Sequence, residues 1–110
     1  MENNVLKIAE EEMRKYLYQG PRFKSLGPNS GEEFRDDVLL PWLKRLGPDE
    51  KGTVDFAETK MYSPSFLEEA FGGAVRKGFG PQISKLKFEH IDGFYAKQIT
   101  QYINEALKKQ

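Results

Sequence analysis

The stretch that most limits what this chain can fold into runs from Thr53 to Val75. Thr53-Val-Asp-Phe-Ala57 alternates, with Val54 and Phe56 on one face and Asp55 on the other, as a short strand does. It leads to the corner Ser63-Pro64-Ser65. A helix leaves that corner with Phe66, Leu67, Ala70, Phe71, Ala74 and Val75 on a broad apolar face. Glu68, Glu69, Arg76 and Lys77 take the other side, and Gly78 is placed to stop the helix. So apolar a helix must cover something, and a strand feeding straight into it points to a crossover in a parallel sheet.

The same alternation of periods recurs along the chain. Val5 to Ala9 reads as a first strand, and Met13, Tyr16 and Leu17 follow at helical spacing. Arg22 to Leu26 reads as a brief extended segment, and Gly27-Pro28-Asn29-Ser30-Gly31 is a loop by composition. Ser30 and Glu33 have capping-box spacing. Phe34, Val38, Trp42 and Leu46 then recur every four residues, beside Leu39 and Leu43. Pro41 lies inside this stripe without a backbone donor, so a kink or break is expected there. Lys85 to Ile91 alternates with Leu86 and Phe88 inward, which suits an edge strand or a sheet with one wet face. Asp92 can cap a last helix whose stripe is Tyr95, Ile99, Tyr102, Ile103, Ala106 and Leu107. The expected fold class is α/β, a small single domain with a mostly parallel sheet of about four strands and crossover helices.

What the chain lacks narrows its chemistry. Its 110 residues include no cysteine, so there is no disulfide, thiolate zinc site or cysteine nucleophile. His90 is the single histidine, and transition-metal sites lack their usual ligands. No metal or cofactor is expected. Asp36/Asp37 and Glu68/Glu69 are adjacent pairs that diverge around their helices, and no Gly-x-Ser-x-Gly elbow occurs. The chain therefore does not read as an enzyme. Seventeen basic and seventeen acidic residues balance, which argues against a nucleic-acid coat or an anionic-membrane binder. Arg76, Lys77, Lys85 and Lys87 are the residues that would suit a nucleic-acid-associated factor. No apolar run approaches the roughly 20 residues that span a bilayer. The start, Met-Glu-Asn-Asn, does not read as a secretory signal, so a cytoplasmic protein is expected.

The corner carries several readings. Ser63 before Pro64 fits a helix cap with proline at the first helical position, and Ser65 with Glu68 fits a capping box. Either cap is worth about 1 kcal/mol. Gly72-Gly73 inside the helix costs about 2 kcal/mol relative to two alanines. Close packing on the sheet or a neighbouring helix would account for the pair, and a docking surface is the alternative. The loop from Gly27 to Gly31 precedes a helix as a phosphate-cradling loop would. It lacks a Gly-Lys-Ser/Thr ending, and Glu32 and Glu33 occupy the approach, so it reads as structural. His90 reads as a structural residue at a strand end.

Five strings occur in order: Gly20-Pro-Arg22, Ser30-Gly-Glu-Glu-Phe-Arg35, Val38-Leu-Leu-Pro41, Val54-Asp-Phe56 and Ser65-Phe-Leu-Glu-Glu-Ala-Phe-Gly-Gly73. Together they resemble the STAS-like family of small bacterial and phage-borne domains, from about Val5 to the last helix. The run from Ser65 to Gly73 is the specific one. The resemblance implies a STAS-like α/β fold and a non-catalytic role through a protein partner, a kinase-like ATPase. In the related anti-sigma-factor antagonists, a serine at this corner is phosphorylated by such a partner. Here that position falls on Pro64, which has no hydroxyl. Ser65 takes the place of the second serine and Ser63 that of an aspartate. Ser65 and Ser63 are thus the candidate phospho-sites, with Glu68 and Glu69 one turn on opposing a phosphate.

The reading is a regulatory, signalling protein-interaction module whose surface is Tyr62, Ser63, Ser65 and Phe66, joined by the Arg22 loop. The alternative is an anion- or nucleotide-binding domain using Arg22, Lys24 and backbone amides at the corner.

Overall fold

A computed structural model describes residues 4–110 except Glu11, Pro48 and Met61, and except the side chains of Glu12 and Met13. The start of the chain, and Met13 in the first helical stripe, lie outside the described residues. Among the described residues three strands form one sheet: β1 (Val5–Lys7), β2 (Thr53–Asp55) and β3 (Lys87–Glu89), in the order β1-β2-β3. Both pairs are parallel, with Leu6 opposite Val54 and Val54 opposite Phe88. β3 is an edge strand, its lysine and glutamate exposed and Phe88 half-buried, as its alternation implies.

Among the described residues the sheet has three strands rather than about four, because Arg22 to Leu26 does not join it. Lys24–Leu26 is a 3₁₀ turn, and the carbonyls of Pro21 and Arg22 accept from Gly31 and Glu32 at the start of the next helix. Carbonyls committed to a helix terminus cannot serve a strand ladder. β1 is also shorter than expected. Ile8 and Ala9 leave it as a 3₁₀ turn and bury themselves in the core.

Helix α1 spans residues 31–45 and is α-helical over Gly31–Phe34, π-helical over Arg35–Leu39 and α-helical again over Leu40–Arg45. The Ser30 hydroxyl caps it, accepting from the Glu33 amide at 3.0 Å. The Glu33 carboxylate turns instead to the Asn29 amide, the Tyr16 hydroxyl and Lys15. Pro41 does not break α1. Its ring would press on a carbonyl one turn back in a regular α-helix. The wider π turn comes just before it, where the Leu40 amide donates to Arg35.

Helix α2 starts at Pro64–Leu67, passes through a π turn at Glu68–Gly72, and is broken at Gly78, whose φ of 97° suits glycine. A short helix, α3, follows at Gly80–Ile83, and α4 occupies Gly93–Lys108, capped by Asp92 through the Phe94 amide at 2.8 Å. Both α1 and α4 pack against α2. Phe66, Leu67, Ala70, Phe71, Ala74 and Val75 are all buried in one cluster with Val54, Phe56, Phe34, Leu39, Leu43 and Ile99. Each large apolar side chain buried in this way contributes about 1.5–3 kcal/mol. α2 is therefore the hub of the core, and its first turn is held in a fixed place.

Candidate functional site

Ser63 wins the competition for the cap. Its backbone is extended, its hydroxyl accepts from the Phe66 amide at 3.4 Å, and its carbonyl accepts from Leu67. Its own amide donates to Gln19 Oε1 at 2.9 Å, and Gln19 is buried. Ser65 is left exposed on the first turn of α2, and among the described residues its hydroxyl has no partner. The capping box with Glu68 is not made: Ser65 already lies inside the helix, the Glu68 amide donates to backbone carbonyls, and its carboxylate is held by Arg22 and Arg76. Phe66 is not part of the surface. It is buried in the core, its ring 5.5 Å from that of Phe34.

A second segment runs alongside the corner. The Lys60 amide donates to the Leu17 carbonyl, Ser63 to Gln19, and the Arg22 guanidinium to Glu68. Residues 17–22 are thereby held beside Lys60 and residues 62–68. This segment and the loop after it carry Tyr18, Phe23 and Leu26, which are 60%, 42% and 67% exposed. On the other side Tyr62 stacks on Tyr95 with ring centroids 4.6 Å apart, and Phe94, 61% exposed, meets Tyr95 edge-on. Burial, then the charge of Asp92, then Tyr95 push the Tyr62 hydroxyl pKa up, so Tyr62 stays neutral. The large exposed apolar side chains among the described residues are Tyr18, Phe23, Leu26 and Phe94; Tyr18 lies on the segment paired with the corner, Phe23 and Leu26 follow that segment, and Phe94 touches the ring that stacks on Tyr62.

Sequence reasoning missed these four. Tyr18, Phe23 and Leu26 sit in a stretch with no helical or strand period to flag them. Phe94 had a signal, because it falls off the Tyr95-Ile99-Tyr102 stripe of its helix.

Arg22 and Lys24, the candidate anion ligands, are already paired. Arg22 Nη1 lies 2.5 Å from Glu68 and 3.3 Å from Glu69. Lys24 Nζ is 3.6 Å from Asp36, and its amide donates to Glu32. The backbone amides of Gly20 and Gly31 in this loop are spent on Asn29 and Pro21. Arg76 is likewise taken by Glu68, at 2.8 and 3.2 Å. Arg35, almost fully buried, reaches Glu69 at 2.5 Å and Asp36 at 2.8 Å. Three arginines and three carboxylates thus form one lattice across the π turns of α1 and α2.

This lattice explains the diglycine. A β-carbon at Gly72 would lie 2.6 Å from Glu68 Oε2, and one at Gly73 would lie 2.7 Å from Arg35 Nη1. The two glycines make room for charged side chains, not for the sheet.

At the carboxyl end of the sheet, Asp55 accepts from the Ala57 amide at 2.9 Å and lies 2.7 Å from His90 Nδ1. His90 has φ 58°, in the left-handed region that few residues other than glycine adopt, and follows directly on β3. Among the described residues no group of three or more His, Asp or Glu side chains is placed to hold a metal. Within the same limit, no helix is long and apolar enough to cross a membrane.

The lattice should be sensitive to acid. Burial alone would raise the carboxyl pKa values of Glu68, Asp36 and Asp55. The arginines outweigh it at Glu68 and, with Lys24 and Lys77, at Asp36; the Ala57 amide, His90 and Lys7 outweigh it at Asp55. All three are held below their ordinary values. A carboxylate with a depressed folded-state pKa stabilises the fold above its unfolded-state pKa, and that contribution is lost as pH falls through the folded value. The melting temperature is therefore expected to hold between pH 7 and 5, and to fall steadily below the ordinary glutamate value of 4.5. A melting curve flat down to pH 3 would contradict the lattice.

A family model described as a STAS-like domain of unknown function matches residues 30–93, which include α1, β2, the corner, α2 and β3. β1 and the Arg22 string lie outside the matched stretch. No curated protein and no solved structure matches the chain.

Proposed function

This chain belongs to the STAS-like domain family, and on that premise we propose that it is a non-catalytic regulatory module that docks through its corner face onto an ATP-binding, kinase-like partner. The observation that carries the reading is that the large exposed apolar side chains among the described residues, Tyr18, Phe23, Leu26 and Phe94, are carried by the segment paired with the corner, by the loop after it, and by the residue next to the Tyr95 that stacks on Tyr62. Exposed apolar side chains concentrated on neighbouring segments mark a contact site. Ser65 is exposed on the first turn of α2, and among the described residues its hydroxyl is free. The carboxylates that would repel a phosphate there are neutralised, Glu68 by Arg22 and Arg76, and Glu69 by Arg35.

The chemistry at Ser65 is phosphoryl transfer. Ser65 Oγ attacks the γ-phosphorus of ATP held by the partner. The Oγ–P bond forms, the bond from that phosphorus to the bridging oxygen breaks, ADP leaves, and the hydroxyl proton passes to a base on the partner. With ATP and the ATP-binding proteins of its source, the wild-type chain is expected to gain the mass of one phosphoryl group. Ser65→Ala is expected to gain none, and Ser63→Ala to gain it as the wild type does. Removing the Ser63 cap lowers stability by about 1 kcal/mol. A wild-type chain that stays unmodified, or a phosphoryl group that persists in Ser65→Ala, would exclude this site.

A further inference from the structure

Two glutamates in the lattice share three arginines. Arg76 reaches Glu68 from two turns further along α2, Arg35 reaches Glu69 from α1, and Arg22 reaches both. Without Arg22, Glu68 keeps Arg76 and Glu69 keeps Arg35. Arg22 is therefore the arginine the lattice can release, and of the three it alone comes from a loop.

Its position says where it can go. The Arg22 carbonyl accepts from the Glu32 amide in the first turn of α1. Gly31, the first residue of α1, packs on the backbone of Phe66. The Arg22 main chain thus sits level with the first turn of α2, and its side chain extends one turn down to Glu68. Ser65 precedes Glu68 by three residues, which puts both on one side of the helix. Arg76 starts eleven residues from Ser65, about 16 Å along the axis, and its side chain is already extended over two turns to reach Glu68.

We propose that Arg22 reads the phosphorylation state of Ser65. A phosphate on Ser65 offers two oxygens to the planar guanidinium, a stronger partner than the Glu68 carboxylate it leaves to Arg76. The loop that follows Arg22 moves with it and carries Phe23 and Leu26, so the exchange rearranges the docking face. The inference rests on Ser65 as the modified residue.

The test places phosphoserine at position 65 during synthesis, which removes any dependence on a kinase. Failure of the transfer experiment above and failure of this one are therefore distinguishable. The probe is the second pKa of the phosphate, near 6 in a free phosphoserine, followed by phosphorus NMR. In the wild-type background it is expected to lie at least about 0.5 unit below its value in Arg22→Gln, because a guanidinium in contact favours the dianion. Arg76→Gln is expected to leave it unchanged. Phosphorylation is also expected to speed amide exchange over residues 20–31 several-fold in the wild type and not in Arg22→Gln. Should Arg22→Gln fail to fold, Arg22→Lys replaces it and is expected to retain only part of the shift. Equal phosphate pKa values in the wild type and the Arg22 variant, or a shift lost in Arg76→Gln instead, would overturn the proposal.

Discussion

Replacing Arg35 by methionine is expected to destabilise the fold by about 3 kcal/mol, the lower end of what breaking a buried ion pair costs. Arg35 is 4% exposed and Glu69 8%, so neither charge can turn to water when its partner goes. Glu69 keeps Arg22 at 3.3 Å and Arg76 at 3.6 Å, which limits the loss. Arg35 has less in reserve. In Glu69→Leu it retains only Asp36, so that variant is expected to lose at least as much. The double variant Arg35→Met/Glu69→Leu removes both charges together. It is expected to be more stable than the sum of the two losses implies, by about 2 kcal/mol, because no unpaired charge stays buried. Urea denaturation of the four proteins measures this directly. Additive losses would show that the two side chains do not act as a pair.

Gly31→Ala is expected to cost about 3 kcal/mol, at the upper end for overpacking. The added carbon would lie 2.5 Å from the Phe66 carbonyl oxygen and 3.0 Å from its Cα. Both are backbone atoms of α2, so relief requires the first turns of α1 and α2 to move apart. Gly72→Ala makes the contrast. There the nearest atom is the end of the Glu68 side chain, which can swing away, and alanine regains about 1 kcal/mol of helix propensity. Gly72→Ala is therefore expected to lie within about 1 kcal/mol of wild type. Equal losses in the two variants would show that the close approach at Gly31 does not fix the corner.

Much of this was legible in the sequence. The apolar stripes of α2 and α4, the caps Ser30 and Asp92, the stop at Gly78 and the edge character of β3 follow from local periodicity and capping chemistry. All of them stand in the structure. The family resemblance rested on Ser65 to Gly73, and the matched stretch contains that run. What local reasoning missed was set by distant partners. Arg22 to Leu26 forms no strand because its carbonyls serve α1. Pro41 sits in an unbroken helix because a π turn precedes it. Ser63 takes the cap because its backbone is extended and the helix already begins at Pro64, which leaves Ser65 inside the first turn. Of the candidate surface residues, Tyr62, Ser63 and Ser65 meet at the corner and the Arg22 loop joins them. Phe66 turns inward.

If the corner face docks an ATP-binding partner, as proposed, replacing its exposed rings should remove binding and leave the fold intact. Tyr18 and Phe94 are about 60% exposed, so Tyr18→Ser/Phe94→Ser is expected to melt within a few degrees of the wild type. ATP-binding proteins enriched from the source organism would be passed over immobilised wild type and over this variant, in equal amounts. The expected result is an ATPase held by the wild type and at least about tenfold depleted on the variant, as removal of central aromatic anchors produces. An ATPase retained equally by both proteins, or by neither, would contradict the account.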